Sequence, residues 1–246
     1  FAVPDHPWVD SANGAAVRIA MSVGSSIEKP GRLVTVTNES LGEHDEINVD
    51  LSDTFGLIQS DLRVGAEVSA SKLMRANEGL GFRGVTLLGE GFWVDQTDPL
   101  SLLEPGLLKP LRNGKDLTDR PRNMLCVDAF GVDESTLRAK YPVTYQRLLT
   151  RVKPERDVCE RRTYRERWWL FAEPRPDFRS ALLGLQRYIA TPMTAKHRVF
   201  QFLDSQILPD QGLIAICHDD AITLGLLQST IHLTWARATG GTLEDR

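Results

Sequence analysis

The chain has 246 residues, 41% of them hydrophobic and 25% charged, with a formal net charge of −4. That is enough for one large domain, or a domain with part of another, and the composition is ordinary for a globular protein. No apolar run approaches a membrane span and nothing at the start reads as a signal peptide, so a cytoplasmic protein without membrane contact is expected.

In chain order, the small, β-rich run AAVRIAMSV (15–23) predicts a buried strand. RLVTVTNE (32–39) and INVDLS (47–52) follow across Gly31, Gly42 and acidic turns. Val34 and Val36 alternate with Thr35 and Thr37, the period of a strand. Residues 1–60 are too few for a domain and are expected to complete a sheet whose other strands lie upstream. Phe1 at the first position predicts a piece of a longer protein. Residues 61–80 read as a loop and a helix, with Leu73 and Met74 as core positions. FRGVTLL (82–88) and EGFWVD (90–95) read as strands around Gly89. Asp98 with Pro99 signals a helix start, and Asn113-Gly114 a turn. NMLCVDAFG (123–131) predicts a buried strand. Residues 133–150 are helical in pattern, with Pro142 breaking or restarting the helix.

Further helices are expected at 160–171 and 177–190, the second with Leu182, Leu185 and Ile189 at helical spacing. RVFQFL (198–203) and GLIAICH (212–218) read as strands. A last helix at 220–238 places Leu224, Leu227 and Ile231 on one stripe, capped by Asp219 or Asp220 and ended by Gly240-Gly241. Helices and strands do not alternate regularly, so residues 61–246 read as an α+β domain.

The charge is unevenly distributed. Residues 138–198 hold 15 Lys and Arg against 6 Asp and Glu, a surplus of nine positive charges, which leaves −13 on the remainder. Such asymmetry fits a polyanion partner, and it also fits a solvated helical face with local ion pairs. Within RRTYRERWWLF (161–171), Tyr164, Trp168 and Phe171 share a helical stripe and are expected in the core. Trp169 falls in the sector of Arg162 and Arg165. It is expected to pack on a neighbouring element while the arginines snorkel past it. In TAKHRVF (194–200), Thr194, Lys196 and Arg198 alternate and would share one face of an extended segment. Lys or Arg there suits donation to guanine O6 and N7, and equally suits phosphates.

Hydrolytic signals are weaker. His218-Asp219-Asp220 could be an acid/base or metal cluster, but it sits where a strand gives way to a helix, and capping accounts for the aspartates. His6 has no partner at metal-ligand spacing, and neither a P-loop nor a nucleophile elbow occurs. Cys126, Cys159 and Cys217 fit neither a disulfide framework nor a zinc site and are expected to be buried, reduced thiols.

FAVPDHPWVDSANGAAVRIAMSVG resembles the segment that follows the catalytic motif in MmeI-like (type IIL/IIG restriction-modification) DNA adenine methyltransferases. In that family a tryptophan-containing loop leads into a strand reading roughly G-A-A-V-R. GFRGVTLLGEGFWVD, LRNGKDL, CVDAFG, YPVTYQRLLTRVKPER, the WW pair, RYIATPMTAKHRVF and HDDAITLGLLQSTIHLTWARATGG resemble that family's target recognition domain, in order. The resemblance spans nearly the whole chain, and its specificity lies in the ordered set.

It implies transfer of a methyl group from S-adenosylmethionine to adenine N6 in a specific DNA sequence, often alongside a fused endonuclease. It implies residues 1–60 as the last strands of a Rossmann-like methyltransferase domain and 61–246 as a target recognition domain. The family's N-P-P-Y or N-P-P-F motif and its cofactor glycines are absent, so no cofactor or catalytic residue is expected here. The expected partners are double-stranded DNA and the rest of the parent polypeptide. The expected DNA contacts are Arg161, Arg162, Arg165 and Arg167, with Lys196 and Arg198 for base readout and Lys115 on a phosphate. The alternative is a non-catalytic RNA- or protein-binding module using the basic 138–198 face. A third reading is a hydrolase built on His218 and Asp219.

Overall fold

The computed structural model describes residues 1–8, 17–27, 29–42, 47–65, 71–195 and 197–239. They form two units, Phe1–Leu73 and Met74–Arg246.

The first unit is a sheet of β1 (Ala2–Trp8), β2 (Val17–Ser22), β3 (Gly31–Leu41) and β4 (Ile47–Gly56), in the order β2-β1-β3-β4. β1 and β3 run parallel and the other pairs antiparallel. The Val34/Val36 alternation is the core of β3, and a register shift between Val36 and Asn38 interrupts its long hairpin with β4. Ala2, Val3, Leu33 and Val34 are buried. β2 corrects one expectation: it forms, but as an edge strand with Val17 and Met21 exposed, because only β1 flanks it. Leu51 and Phe55 of β4, the opposite edge, are exposed as well. Trp8, which the resemblance implies in a loop, instead ends β1. Two prolines, Pro4 and Pro7, obscure its pattern, and its pairing shifts register between Val3 and His6.

The second unit runs β5 (Gly81–Arg83), β6 (Trp93–Val94), α1 (Leu100–Leu103), β7 (Leu108–Arg112), α2 (Gly114–Thr118), β8 (Leu125–Val127), α3 (Glu134–Lys140), α4 (Pro142–Arg151), α5 (Lys153–Asp157), α6 (Arg162–Glu166), α7 (Pro176–Ala181), β9 (Arg187–Pro192), β10 (Gln201–Asp204), β11 (Leu208–Pro209), β12 (Leu213–Ile216), α8 (Ala221–Gln228) and α9 (Thr230–Thr239). One antiparallel sheet has the order β10-β9-β12-β5, and a second has β11-β7-β8-β6 with β11 parallel to β7. The class is mixed α and β. Val85, Phe92, Leu111, Val127, Leu137, Leu148, Phe178, Tyr188 and Leu213 centre one core. β9 is buried along nearly its whole length, and Tyr188 donates its hydroxyl to Ile207 O at 2.9 Å.

Proline and acid punctuation explain the helices. Asp133 caps α3 through Thr136 N at 2.8 Å, and Pro142 restarts the chain as α4. α4 borrows its cap: Glu104 accepts from Val143 N at 3.0 Å and Thr144 N at 2.8 Å. Asp98 accepts from Leu100 N at 3.0 Å at the start of α1.

Several expectations fail. Leu73 is 99% exposed and Met74 is exposed too; 71–80 hold only a single 3₁₀ turn, Arg75–Asn77. The helix expected over 177–190 ends at Ala181, and Gly184 at φ 85° turns the chain, so Ile189 is buried by β9 and not by a helix. The last helix breaks at Ser229, which is extended, and Ile231 becomes exposed, away from the stripe of Leu224 and Leu227. Gly240-Gly241 lie outside the described residues.

Candidate nucleic-acid interface

The site begins where β7 meets α2. Asn113 is extended, and its Oδ1 accepts from Asp116 N at 3.1 Å while Asp116 Oδ2 accepts from Asn113 N at 2.9 Å. This reciprocal cap turns the expected Asn-Gly turn into a helix start. Asp116 is buried and also accepts from Arg122 N at 2.9 Å, Nε at 3.0 Å and Nη2 at 3.0 Å. Burial alone would raise its pKa, but these donors and the Arg122 charge win and hold the carboxyl at about 2. The framework leaves the Lys115 side chain exposed, with no ion pair or hydrogen bond among the described residues, while its carbonyl accepts from Asp119 N at 2.8 Å.

Two further segments face it. After β9 ends at Pro192 the described residues 193–195 and 197–200 are irregular, tied by Met193 N to Gly212 O at 2.9 Å. After β11, Asp210 N donates to Arg112 O at 2.8 Å, and Asp210 Oδ1 accepts from Gly212 N at 2.7 Å. Gly84 packs so close to this turn that a Cβ would lie 2.0 Å from Asp210 O. The three segments enclose a cleft of about 730 Å³ lined among others by Asn113, Lys115, Thr194, His197 and Asp210. Burial raises the Asp210 carboxyl above its ordinary range, against the opposing pull of Gly212 N–H and Arg122.

The structure therefore brings together Lys115 and the residues Thr194, Ala195, His197 and Val199, from two stretches predicted separately. Arg198 is exposed and makes no ion pair or hydrogen bond with a described residue. Its flank Val199 lines the cleft. The extended strand expected from residue 198 is corrected: β10 starts at Gln201, so strict alternation of Thr194 and Arg198 is not the basis of their placement. Lys196 lies outside the described residues.

The arginine-rich segment is different, and none of its residues lines the cleft. The helix expected over 160–171 is only α6, five residues long. Arg167 leaves helical geometry at ψ 45°, which lets Trp168 and Phe171 reach the core from a turn. Trp169 packs as expected, half-buried, its Nε1 donating to Val132 O at 2.9 Å. Arg161 donates to Tyr164 Oη at 2.6 Å and pairs with Glu173 at 3.3 Å. Arg162 pairs with Glu166 at 2.7 Å, and Arg165 donates to the carbonyls of Cys159 and, at 2.9 Å, Glu160. Arg167 alone of the four is exposed without such a partner among the described residues.

Much of the remaining surplus is structural. Arg147 donates to Gly91 O at 2.8 Å, Trp93 O at 2.6 Å and Asp98 at 2.6 Å. Arg179 grips Asp128 with two nitrogens at 2.7 and 3.0 Å and stacks on Phe130. Arg156 is fully buried, donating to Leu87 O at 2.8 Å and Leu170 O at 3.0 Å between the rings of Phe92 and Tyr164. Arg187 lies over Phe202 and donates to Asp219 O at 3.0 Å. Sequence reasoning missed these roles, and it missed Asp210. The Asp-x-Gly pattern at 210–212 was the only local signal for the latter.

The His218 segment does what capping predicts. Asp220 accepts from Thr223 N at 2.7 Å and starts α8, with His218 Nδ1 3.2 Å from its carboxylate. Among the described residues no group of three or more His, Cys, Asp and Glu is placed to hold a metal ion. Cys126 and Cys217 are buried, burial pushing Cys217 up to about 11, whereas Cys159 is only half-buried.

No protein-family model matches the chain, and no curated protein does. Among solved structures it is similar to the type IIL restriction-modification enzyme MmeI, determined in complex with DNA. The TM-score is 0.71 at 21% identity, over 100% of this chain and 33% of the MmeI chain. The chain thus spans about a third of that protein's length and shares the fold of that portion.

Proposed function

We propose that this chain is the DNA-reading part of an S-adenosylmethionine-dependent DNA adenine-N6 methyltransferase of a restriction-modification system. Residues 61–246 are its target recognition domain, and residues 1–60 are the closing strands of its methyltransferase domain. The observation that carries this reading is the cleft, where Lys115 and the 194–199 segment converge from distant parts of the sequence. The MmeI-like fold supports it. So does the first unit's sheet, whose exposed Val17, Met21, Leu51 and Phe55 call for a covering layer.

Lys115 and Arg198 supply donors for phosphate oxygens or purine edges. The target adenine would be flipped out of the duplex towards the catalytic domain while this part holds the flanking duplex. The residues present do not fit the cofactor. Among the described residues of the first unit the strands follow one another without a helix, so no glycine turn leads into a helix to cradle a nucleoside. Among the described residues no helix is long and apolar enough to cross a membrane.

The test is a mobility-shift titration of the full-length protein against duplex DNA, structured RNA and heparin at two salt concentrations, paired with sequencing of methylated adenines in cells expressing it. Duplex preference together with a fixed methylated motif supports the reading. Equal binding to RNA and no modified adenine would replace it with a non-catalytic RNA-binding module.

A further inference from the structure

The cleft has a composition that phosphate binding does not explain. A groove that only tracks a sugar-phosphate backbone gains from every cation and loses from every carboxylate. This one carries the cationic Lys115, the polar Thr194 and His197, and also Asp210. Asp210 is fixed rather than mobile. Its main chain is held by Arg112 O, its own carbonyl accepts from Leu213 N at 2.9 Å, and its Oδ1 accepts from Gly212 N. Its other carboxylate oxygen has no hydrogen-bond partner among the described residues. The close approach of Gly84 behind the turn leaves the Asp210 backbone no room to retreat. A half-buried carboxylate with one committed oxygen and one available oxygen is an acceptor awaiting a donor.

Duplex DNA offers such donors only on base edges: the amino groups of cytosine N4 and adenine N6 in the major groove, and of guanine N2 in the minor groove. We propose that Asp210 is a specificity-determining residue that accepts a hydrogen bond from the major-groove amino group of one cytosine or adenine in the recognised sequence. Lys115, Thr194 and His197, which line the same cleft, then supply the complementary donors. The inference rests on the DNA-reading function proposed above. It adds that the cleft reads bases as well as gripping phosphates. Its elevated pKa, caused mainly by burial, fits a carboxylate that gains a donor on binding.

The experiment selects binding sites for the full-length protein from a duplex pool with a randomised core, for the wild type and for Asp210→Asn. Asparagine keeps the acceptor for Gly212 N–H but presents an amide donor to the cleft. The expected result is a common motif that changes at one base pair, from an amino-bearing base towards one presenting an acceptor. A second arm needs only the wild type. Removing one exocyclic amino group at a time from the selected motif should weaken binding by about 5- to 150-fold at one base. If the wild type selects a motif, yet Asp210→Asn selects the same one at every position and no amino deletion weakens binding, Asp210 does not read a base and the DNA-reading function still stands. If the wild type selects no motif, both fall together.

Discussion

The arginine-rich 161–167 segment and the cleft at Lys115 and 194–199 make opposite use of charge. The segment holds four arginines, and three of them are engaged by Glu173, Glu166 or main-chain carbonyls. The cleft has fewer cations: Lys115 lines it and Arg198 lies beside its wall residue Val199, and both side chains are exposed, with no ion pair or hydrogen bond among the described residues. The number of charges in a window is therefore a poor guide to a binding face. What matters is whether the fold already satisfies them. The nine-charge surplus of residues 138–198 is drawn down from outside the window, since Asp98 and Asp128 lie upstream and claim Arg147 and Arg179.

Substitutions can break or sharpen this contrast. The largest effect is expected at a framework arginine. Arg179→Ala leaves Asp128 buried and unpaired, at a cost of about 3–5 kcal/mol, seen as a lowered midpoint in denaturant unfolding. Gly84→Ala comes next. Its methyl would strike the Asp210 carbonyl, a backbone atom that cannot swing aside, so a loss of about 3 kcal/mol is expected together with a disturbed cleft.

Asp116 gives a pH signature. Its folded-state pKa is depressed, so the stability it contributes is fully present above the ordinary carboxylate value and is lost as pH falls towards 2. That contribution is at most about 2.5 kcal/mol, and Arg122, 44% exposed, lowers it by solvent screening. Asp116→Asn should remove this acid phase from a plot of stability against pH. The smallest effect belongs to Arg162→Ala. Its pair with Glu166 is exposed, so stability should change by less than about 0.5 kcal/mol in the same unfolding assay.

The sequence made the α+β class legible, because short strands and capped helices alternate without βαβ order. It made α3 and α4 legible through Asp133 and Pro142, whose effects are local. It misjudged 160–171 and 177–190 because helical spacing of apolar residues also arises from a short helix followed by a turn or a strand. Trp168 is buried from a turn, and Ile189 from β9. Of the cleft lining, Lys115 was legible as a basic residue in an Asn-Gly turn, and Thr194 through its alternation with Lys196 and Arg198. Their convergence was not, because it depends on long-range ties: β11 pairing with β7, and Met193 N, just past β9, bonding to Gly212 O. Asp210 was hidden for the same reason: an Asp-x-Gly turn reads the same on any surface.

The proposed reading places duplex DNA at the cleft and not along 161–167. Its most direct test is the salt dependence of duplex binding by the full-length protein carrying Lys115→Ala with Arg198→Ala, against one carrying Arg161→Ala with Arg162→Ala. Lys115→Ala with Arg198→Ala should weaken binding strongly and flatten the slope of log affinity against log salt by about 2, whereas Arg161→Ala with Arg162→Ala should leave both near wild type. A cleft pair that binds like the wild type, with a segment pair that loses affinity and slope, would contradict it.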